Sequence, residues 1–339
     1  MYKATYRITP YLLNLIDKAS SLKAWIELAP LQVAWLPVMQ KDARTKMAHF
    51  STSIEGNPLS LSQVKAIDRG ETVDAKNTEE WEVLNYLRAM HWIEQHAGAK
   101  IEERSIFELH QIVTQKLLEE SKIGQYKIKQ NYVVDDKRIK IYTPTSPKDT
   151  PKAIADLLSW LNSPDTLQLH CILTCAIFHH RFVSIHPFSD GNGRLARSLG
   201  AMILYQREFD LHHIFSLDEF FACDRQQYYL KLQQARDLDN DLTLWIEYVA
   251  AGIVATLEKV KKRIEDLQVT TTHPLNLSRR QEETLRLLRD NRTLHVSDLI
   301  KELNVTRARI NQIITPMVES GLIRREGESR ATRYRLNIH

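Results

Sequence analysis

The chain has 339 residues, 43% of them hydrophobic and 26% charged, with a formal net charge of +4 and few Gly or Pro, 10 and 11. That length has room for two or three domains and can bury a sizeable core unaided, and the composition is that of an ordinary soluble protein. The longest apolar stretches, such as Ile172 to Phe178, are far too short to span a bilayer.

In chain order, Met1-Tyr-Lys-Ala-Thr-Tyr-Arg lacks the apolar region and cleavage site of a signal peptide. Ser51-Thr-Ser-Ile-Glu55-Gly56-Asn57 places a Ser and a Glu four apart before a Gly, which by itself reads equally well as the end of an amphipathic helix with a Gly cap. Asn77 opens a strongly periodic helix through Trp81, Val83, Leu84, Leu87, Met90 and Ile93. From Gln130 to Thr143, β-branched and aromatic residues flank a polar Asp135-Asp-Lys-Arg turn, the pattern of a hairpin. Thr150-Pro151 reads as an N-cap followed by Pro at the first helical position. Further helices are predicted over Leu167 to Arg181, Leu217 to Arg236 and Asp241 to about Glu265; in the last, Leu244, Trp245, Tyr248 and Val249 follow core spacing. Cys171 and Cys175 lie four apart within one buried-looking helix and Cys223 stands alone, so the thiols read as free and the compartment as a reducing cytoplasm.

The β-branched, Pro and polar run Thr270-Thr-Thr-His-Pro-Leu-Asn-Leu277 breaks the helical pattern and is read as a linker. Beyond it the balance turns basic: from Asn276 to His339 there are 13 Lys plus Arg against 8 Asp plus Glu, a net +5, which leaves the rest near −1. Helices are predicted from Ser278 to Asp290, from Val296 to Leu303, and from Asn304-Val-Thr306 through Ser320 with Gly321 as its cap. Two strands around Leu322-Ile-Arg-Arg-Glu and Thr332-Arg-Tyr-Arg-Leu then flank a polar turn.

The densest chemistry lies in His186-Pro-Phe-Ser-Asp-Gly-Asn-Gly-Arg-Leu-Ala-Arg197. Gly191-Asn192-Gly193 offers two residues that accept positive φ around an Asn that tolerates it, so successive N–H groups can turn inward as an anion nest. A helix follows from Arg194 through Leu195 and Ala196, placing that nest at its positive end. Arg194 and Arg197 share one helical face, where guanidinium forks bind phosphate oxygens. Asp190 is a carboxylate suited to Mg²⁺, and His186 a base suited to neutral pH. No Gly-x-x-x-x-Gly-Lys-Ser/Thr occurs anywhere, which excludes a conventional P-loop.

This run resembles the signature of the Fic family, His-x-Phe-x-Asp/Glu-Gly-Asn-Gly-Arg-x-x-Arg, at every fixed position. The resemblance implies a mainly α fold, a helical bundle with a β-hairpin flap. It also implies transfer of AMP from ATP to a Ser, Thr or Tyr hydroxyl of a target protein, the chain itself included, with release of diphosphate. His186 would take the hydroxyl proton, Phe188 anchor the loop, and Asp190 bind Mg²⁺ on the ATP phosphates. Gly191, Asn192, Gly193 and Arg194 would cradle those phosphates, and Arg197 would hold the γ-phosphate. Ser51, Glu55 and Gly56 resemble the family's inhibitory helix, whose Glu pairs with the final Arg; here Glu55 would face Arg197. Tyr132, Val133 and Val134 fall on the flap that pairs with target backbone. Gly124-Gln-Tyr-Lys127 departs from the family's Gly-x-x-Arg at Lys127. Tyr228 and Tyr229 fall where the family lines its adenine site, and packing explains two tyrosines equally well.

The tail resembles a winged helix-turn-helix, with Arg307, Arg309, Asn311 and Gln312 as candidate DNA contacts and Arg324, Arg325 and Arg330 on the wing; a protein-docking or dimerising role remains the alternative. The predicted division is 1–100 carrying the inhibitory motif, 101–268 as the catalytic core, 269–277 as linker and 278–339 as the winged helix. A homodimer is allowed by the resemblance, and composition is silent on it. Two other functions stay open: a DNA-binding regulator whose Fic domain senses nucleotide, and the reverse reaction, removal of AMP from a target with Glu55 aligning water.

Overall fold

A computed structural model describes residues 2–29, 35–70, 77–134, 140–210, 212–270, 278–291, 293–319, 322–327 and 332–336. It divides into two compact units, one of residues 1–29 with 42–263 and one of 30–41 with 264–339. In the first, α1 (Pro10–Leu28) starts where Thr9 accepts from the Leu12 amide at 3.1 Å with Pro10 behind it. Next come α2 (Trp35–Ile54), which begins in residues of the second unit, and α3 (Leu61–Asp68), opened by a capping box between Ser60 and Gln63. Helix α4 (Thr78–Gln95) begins at Asn77, whose side chain accepts from the Glu80 amide at 2.9 Å. It buries Val83, Leu87, Met90 and Ile93 as its periodicity predicts, with Trp81 and Leu84 half-buried. Helix α5 (Glu103–Thr114) packs on it.

A two-stranded ribbon follows, β1 (Val133–Val134) antiparallel to β2 (Lys140–Tyr142), with Val133 opposite Tyr142, Val134 opposite Lys140 and an irregularity between them. This is the predicted hairpin, although its turn lies outside the described residues. The helices resume with α6 (Thr150–Leu161), α7 (Pro164–Gln168), α8 (Cys171–Ile185), α9 (Asn192–Gln206), α10 (Leu217–Cys223), α11 (Arg225–Asp237) and α12 (Thr243–Thr270), the last running on into residues of the second unit.

The helix predicted from Leu167 is two, because the His170 ring accepts from the Ile172 amide at 3.3 Å and starts α8 afresh. The one predicted from Leu217 to Arg236 also divides: Asp224 turns to φ −139° and accepts from the Gln227 amide at 2.9 Å, which caps α11. Helix α6 begins at Thr150 itself, the cap position falling to Asp149.

The antiparallel pair α8 and α9 is the centre of this unit, nearly every side chain of both being buried, and α4, α5 and α6 pack around it. Because α4 packs on both α5 and α9, residues 42–100 belong to the same compact unit as the predicted core rather than to a separate one. Trp245 on α12 is fully buried, its indole N–H satisfied by the Ala176 carbonyl at 2.7 Å. Cys171 and Cys175 are buried thiols, and burial pushes the Cys171 thiol up to about 11.

The second unit runs α13 (Arg279–Asn291), β3 (Thr293–His295), α14 (Val296–Leu303), α15 (Arg307–Glu319), β4 (Ile323–Glu326) and β5 (Arg333–Leu336). Its sheet has the order β3-β5-β4, all antiparallel, so a third strand joins the predicted pair. Leu288, Leu299, Ile310, Ile314 and Ile323 form its own core. Of the predicted linker 269–277, residues 269–270 fall in α12, while 271–277, the predicted cap Gly321 and the wing residue Arg330 lie outside the described residues. Among the described residues, no helix is long and apolar enough to cross a membrane.

Candidate active site

The loop between α8 and α9 is held from several sides. His186 ends α8 in the left-handed region, φ 52° and ψ 62°, a conformation unfavourable for a histidine unless its surroundings impose it. They do so through Asn192, whose side chain accepts from the Phe188 amide and donates to the Phe188 carbonyl, both at 2.9 Å. Asn131 donates to the same carbonyl at 2.9 Å, and the Lys127 amide donates to the Pro187 carbonyl at 2.9 Å. Phe188 is fully buried and stacks on the His110 ring, centroids 3.8 Å apart. That ring accepts the Gly124 amide at Nδ1, which leaves its Nε2–H to donate to the Asp190 carbonyl at 3.2 Å.

Of the predicted nest, only Gly191 takes positive φ, 76°, as the N-cap of α9; Asn192 and Gly193 are already helical. The anion site is therefore the first turn of α9 itself. Its ladder begins with Leu195 N–H to the Gly191 carbonyl at 2.9 Å, so the amides of Asn192, Gly193 and Arg194 precede it and point out of the helix end. At Gly193 the Glu55 carboxylate approaches so closely that a Cβ there would push Glu55 Oε1 aside.

His186 Nδ1 lies 3.3 Å from the Val183 carbonyl, so Nδ1 carries the proton and Nε2 keeps its lone pair. Burial first, then Lys127 and Arg236, hold the imidazole down to about 4, so it is a neutral base at physiological pH. Burial also holds His110 to about 4 and His180 to about 3, and holds His179 well below the ordinary value. In the unfolded chain these rings protonate near the ordinary value of 6.5, so as pH falls from there towards 4 the unfolded state gains protons first and stability is lost, on the order of 1 kcal/mol per histidine per pH unit. Asp210, pushed by burial up to about 7, and Asp218, raised in the same way, act in the opposite sense but are outnumbered. The melting temperature should therefore fall by about 5 °C or more between pH 7 and pH 5 in calorimetry; a flat profile would contradict these environments.

Both signature arginines are buried and already paired. Arg194 Nη1 lies 3.1 Å from Glu82 and its Nη2 3.6 Å from Asp190 Oδ2, while the same Glu82 accepts from Asn57 at 2.8 Å. Arg197 donates from Nη2 to Glu55 Oε1 at 2.6 Å and to the Ser51 carbonyl at 2.8 Å, and from Nε to Ser51 Oγ at 2.7 Å. Burial opposes the charge on Arg197, and the Glu55 and Asp218 carboxylates beside it favour it. Arg197 Nη1 is buried with no hydrogen bond. Helix α2 ends at Ile54 and Gly56 takes φ 101°, so the helix-end reading of Ser51 to Gly56 and the pairing of Glu55 with Arg197 are both present.

A cleft of about 530 Å³ gathers these groups: Glu55, His186, Gly193 and Arg197 line it together with Val133 and Val134 of the hairpin. Tyr229 is part of its wall, with Arg225 over its ring at 5.4 Å. Tyr228 lines the cleft beside it and, 1% exposed, also packs against Phe221 and Trp245 and bonds His179 at 2.9 Å. Tyr132 and Val134 are exposed on the hairpin. Lys127, at the position departing from the expected Arg, binds the Asn131 side chain at 2.7 Å and the Ile185 carbonyl at 3.3 Å, and burial holds it down to about 8. Leu195 and Ala196 face the core between the arginines.

Residues 100–204 match the sequence profile of the Fic/DOC family. Over these residues the chain is similar to that family. It is 32% identical over 248 residues to the protein adenylyltransferase Fic of Nematostella vectensis, covering 72% of this chain and 53% of that protein. To the protein adenylyltransferase fic-1 of Caenorhabditis elegans it is 29% identical over 229 residues, 65% of this chain and 42% of that one. The chain spans about half the length of the curated relatives it matches. In structure it is similar to residues 134–508 of the C. elegans Fic-1, with a TM-score of 0.63 and 25% identity over 75% of this chain and 73% of that one. A Fic family protein from Desulfovibrio desulfuricans G20 shares the fold over 99% of this chain and 98% of its own, with a TM-score of 0.68 and 24% identity.

The loop rests on residues that sequence reasoning did not single out: Glu82, Tyr86, His110, Asn131 and Asp218. No local pattern marks them, since each meets the loop or its arginines from a distant segment.

Proposed function

We propose that this protein is an autoinhibited protein adenylyltransferase, moving AMP from ATP to a hydroxyl of a target protein. The observation that carries it is the conjunction, in one cleft, of a neutral His186 with a free Nε2 lone pair and a buried guanidinium, Arg197, whose Nη1 is unsatisfied and whose Nη2 is held by Glu55. The triphosphate would lie against the first-turn amides of α9 with Arg197 on the γ-phosphate. The target hydroxyl gives its proton to His186 Nε2 as its oxygen attacks the α-phosphorus, the bond to the bridging oxygen breaks and diphosphate leaves. Asp190, with a side chain 60% exposed at the mouth of the helix end, suits Mg²⁺, a hard cation content with one carboxylate and phosphate oxygens; bound there, it would neutralise charge on the phosphates. The exposed hairpin edge at Tyr132 to Val134 would pair with target backbone.

Glu55 is the brake. Its carboxylate occupies the Nη2 that a phosphate needs and repels the phosphate itself. Mass spectrometry of the protein and of candidate targets after incubation with ATP and Mg²⁺ tests the reading: a gain of one AMP on a hydroxyl residue is expected, and loss of AMP from a modified target would instead favour the reverse reaction.

The second unit, with its helix, strand, two helices and two strands, is proposed as a winged helix that binds duplex DNA. Arg307, Arg309, Asn311 and Gln312 are all exposed on α15, and Arg324 and Arg325 on β4. A labelled duplex should shift with a steep salt dependence that Arg307→Ala with Arg309→Ala largely abolishes; absence of any salt-dependent shift would leave a protein-docking or dimerising role.

A further inference from the structure

Two carboxylates face Arg197, and they differ in kind. Glu55 reaches it from the cleft side with 30% of its side chain exposed. Asp218, second residue of α10, is buried, its side chain 4% exposed, and its Oδ1 lies 3.4 Å from Arg197 Nε. Tyr86, fully buried on α4, donates to the same Oδ1 at 3.4 Å. The Ser51 hydroxyl, which accepts from Arg197 Nε at 2.7 Å, faces that carboxylate as well.

A guanidinium is planar, so anchoring its Nε edge sets the direction of both terminal nitrogens. The Nε edge here is held by Ser51 and Asp218, and Nη2 is the end that Glu55 takes. When Glu55 leaves, as the proposed reaction requires, it frees one of the two Nη2 hydrogens, the other staying on the Ser51 carbonyl, and leaves the Nε anchor intact. We propose that Asp218 is the positioning residue of Arg197, keeping its Nη1 and Nη2 aimed into the cleft once Glu55 has withdrawn. Asp218 touches neither substrate nor reacting atoms and acts through Arg197.

The catalytic half of this inference rests on the AMP-transfer reading; the orientation of Arg197 does not, and the two are measured separately. In the Glu55→Gly protein, Asp218→Ala should lower kcat about 10- to 100-fold with the KM for ATP changed less than threefold, because α9 amides and Arg194 still bind the triphosphate while its α-phosphate is misaimed. Asp218→Asn keeps an oxygen acceptor and should recover most of that loss. In the same proteins labelled with ¹⁵N-arginine, the Arg197 Nε–H resonance, assigned by its disappearance in Arg197→Lys, should exchange with solvent at least tenfold faster in Asp218→Ala than in Asp218→Asn.

If Glu55→Gly transfers no AMP while the resonance responds as stated, the reaction assignment fails and the positioning role stands. If the Arg197 resonance exchanges equally in both variants, the inference is overturned whatever the activity. Where Asp218→Ala does not fold, Tyr86→Phe removes the other hydroxyl on Asp218 and should move kcat and exchange in the same direction by a smaller factor; no movement in either overturns the inference.

Discussion

Replacing His186 with alanine should lower AMP transfer by about 10²- to 10⁴-fold, the range that a positioned general base supplies, with little change in ATP affinity. The ring is a base by construction. Its Nδ1 proton is committed to the Val183 carbonyl at 3.3 Å, and burial keeps it neutral down to about 4. In the proposed reaction the phosphates would lie elsewhere, on Arg197 and the first turn of α9, so the substrate should still bind when the imidazole is gone. Fold should survive as well, because the loop is fastened through Asn192, Asn131 and the buried Phe188 rather than through the imidazole. Labelled-ATP incorporation at saturating target, read beside a nucleotide-binding titration, checks both halves. Retained incorporation in His186→Ala would remove the histidine from the chemistry.

Glu55→Gly should raise auto-modification by about 10- to 100-fold. At rest Arg197 Nη2 is held by the Glu55 carboxylate at 2.6 Å, and ATP must displace that ion pair to reach it. A competing state of this kind lowers apparent affinity by the fraction of molecules in the open form, and a factor of 10 to 100 corresponds to about 1.4–2.8 kcal/mol. The exposure of Glu55 keeps the contact below the strength of a fully buried pair, which is what a releasable brake needs. The comparison is the rate of label uptake per folded protein in the two chains. Equal rates would mean that Glu55 does not oppose the phosphate.

The chemistry of the loop was legible because it is written in consecutive residues. His186, Phe188, Asp190, the two glycines and the two arginines act within twelve positions, and helix geometry alone brings the arginines onto one face. The pairing of Glu55 with Arg197 was legible only through the family resemblance, since the two lie 142 positions apart. Details of the backbone were read less well. Gly191-Asn192-Gly193 suggests a turn of three, yet helix α9 claims two of them, and what stands out at Gly193 is the close approach of Glu55 rather than its own φ. The stretch from Leu217 to Arg236 reads as one helix since Asp224-Arg-Gln-Gln carries no Gly or Pro; the Asp224 side chain breaks it by capping the next helix.

The amino-acid sequence by itself determined that the chain is mainly helical, that it changes character after about residue 270, and which twelve residues hold the groups suited to phosphate chemistry. Hydrophobic periodicity and local hydrogen-bonding chemistry act between near neighbours, so they can be read in line. Only the tertiary structure decided which buried groups stand behind those twelve: Asp218 and Tyr86 at Arg197, Glu82 at Arg194, and His110 under Phe188. A buried polar side chain has no signature of its own in sequence, because its place is set by where distant helices pack, and its partner is whatever unsatisfied donor or acceptor that packing brings to it.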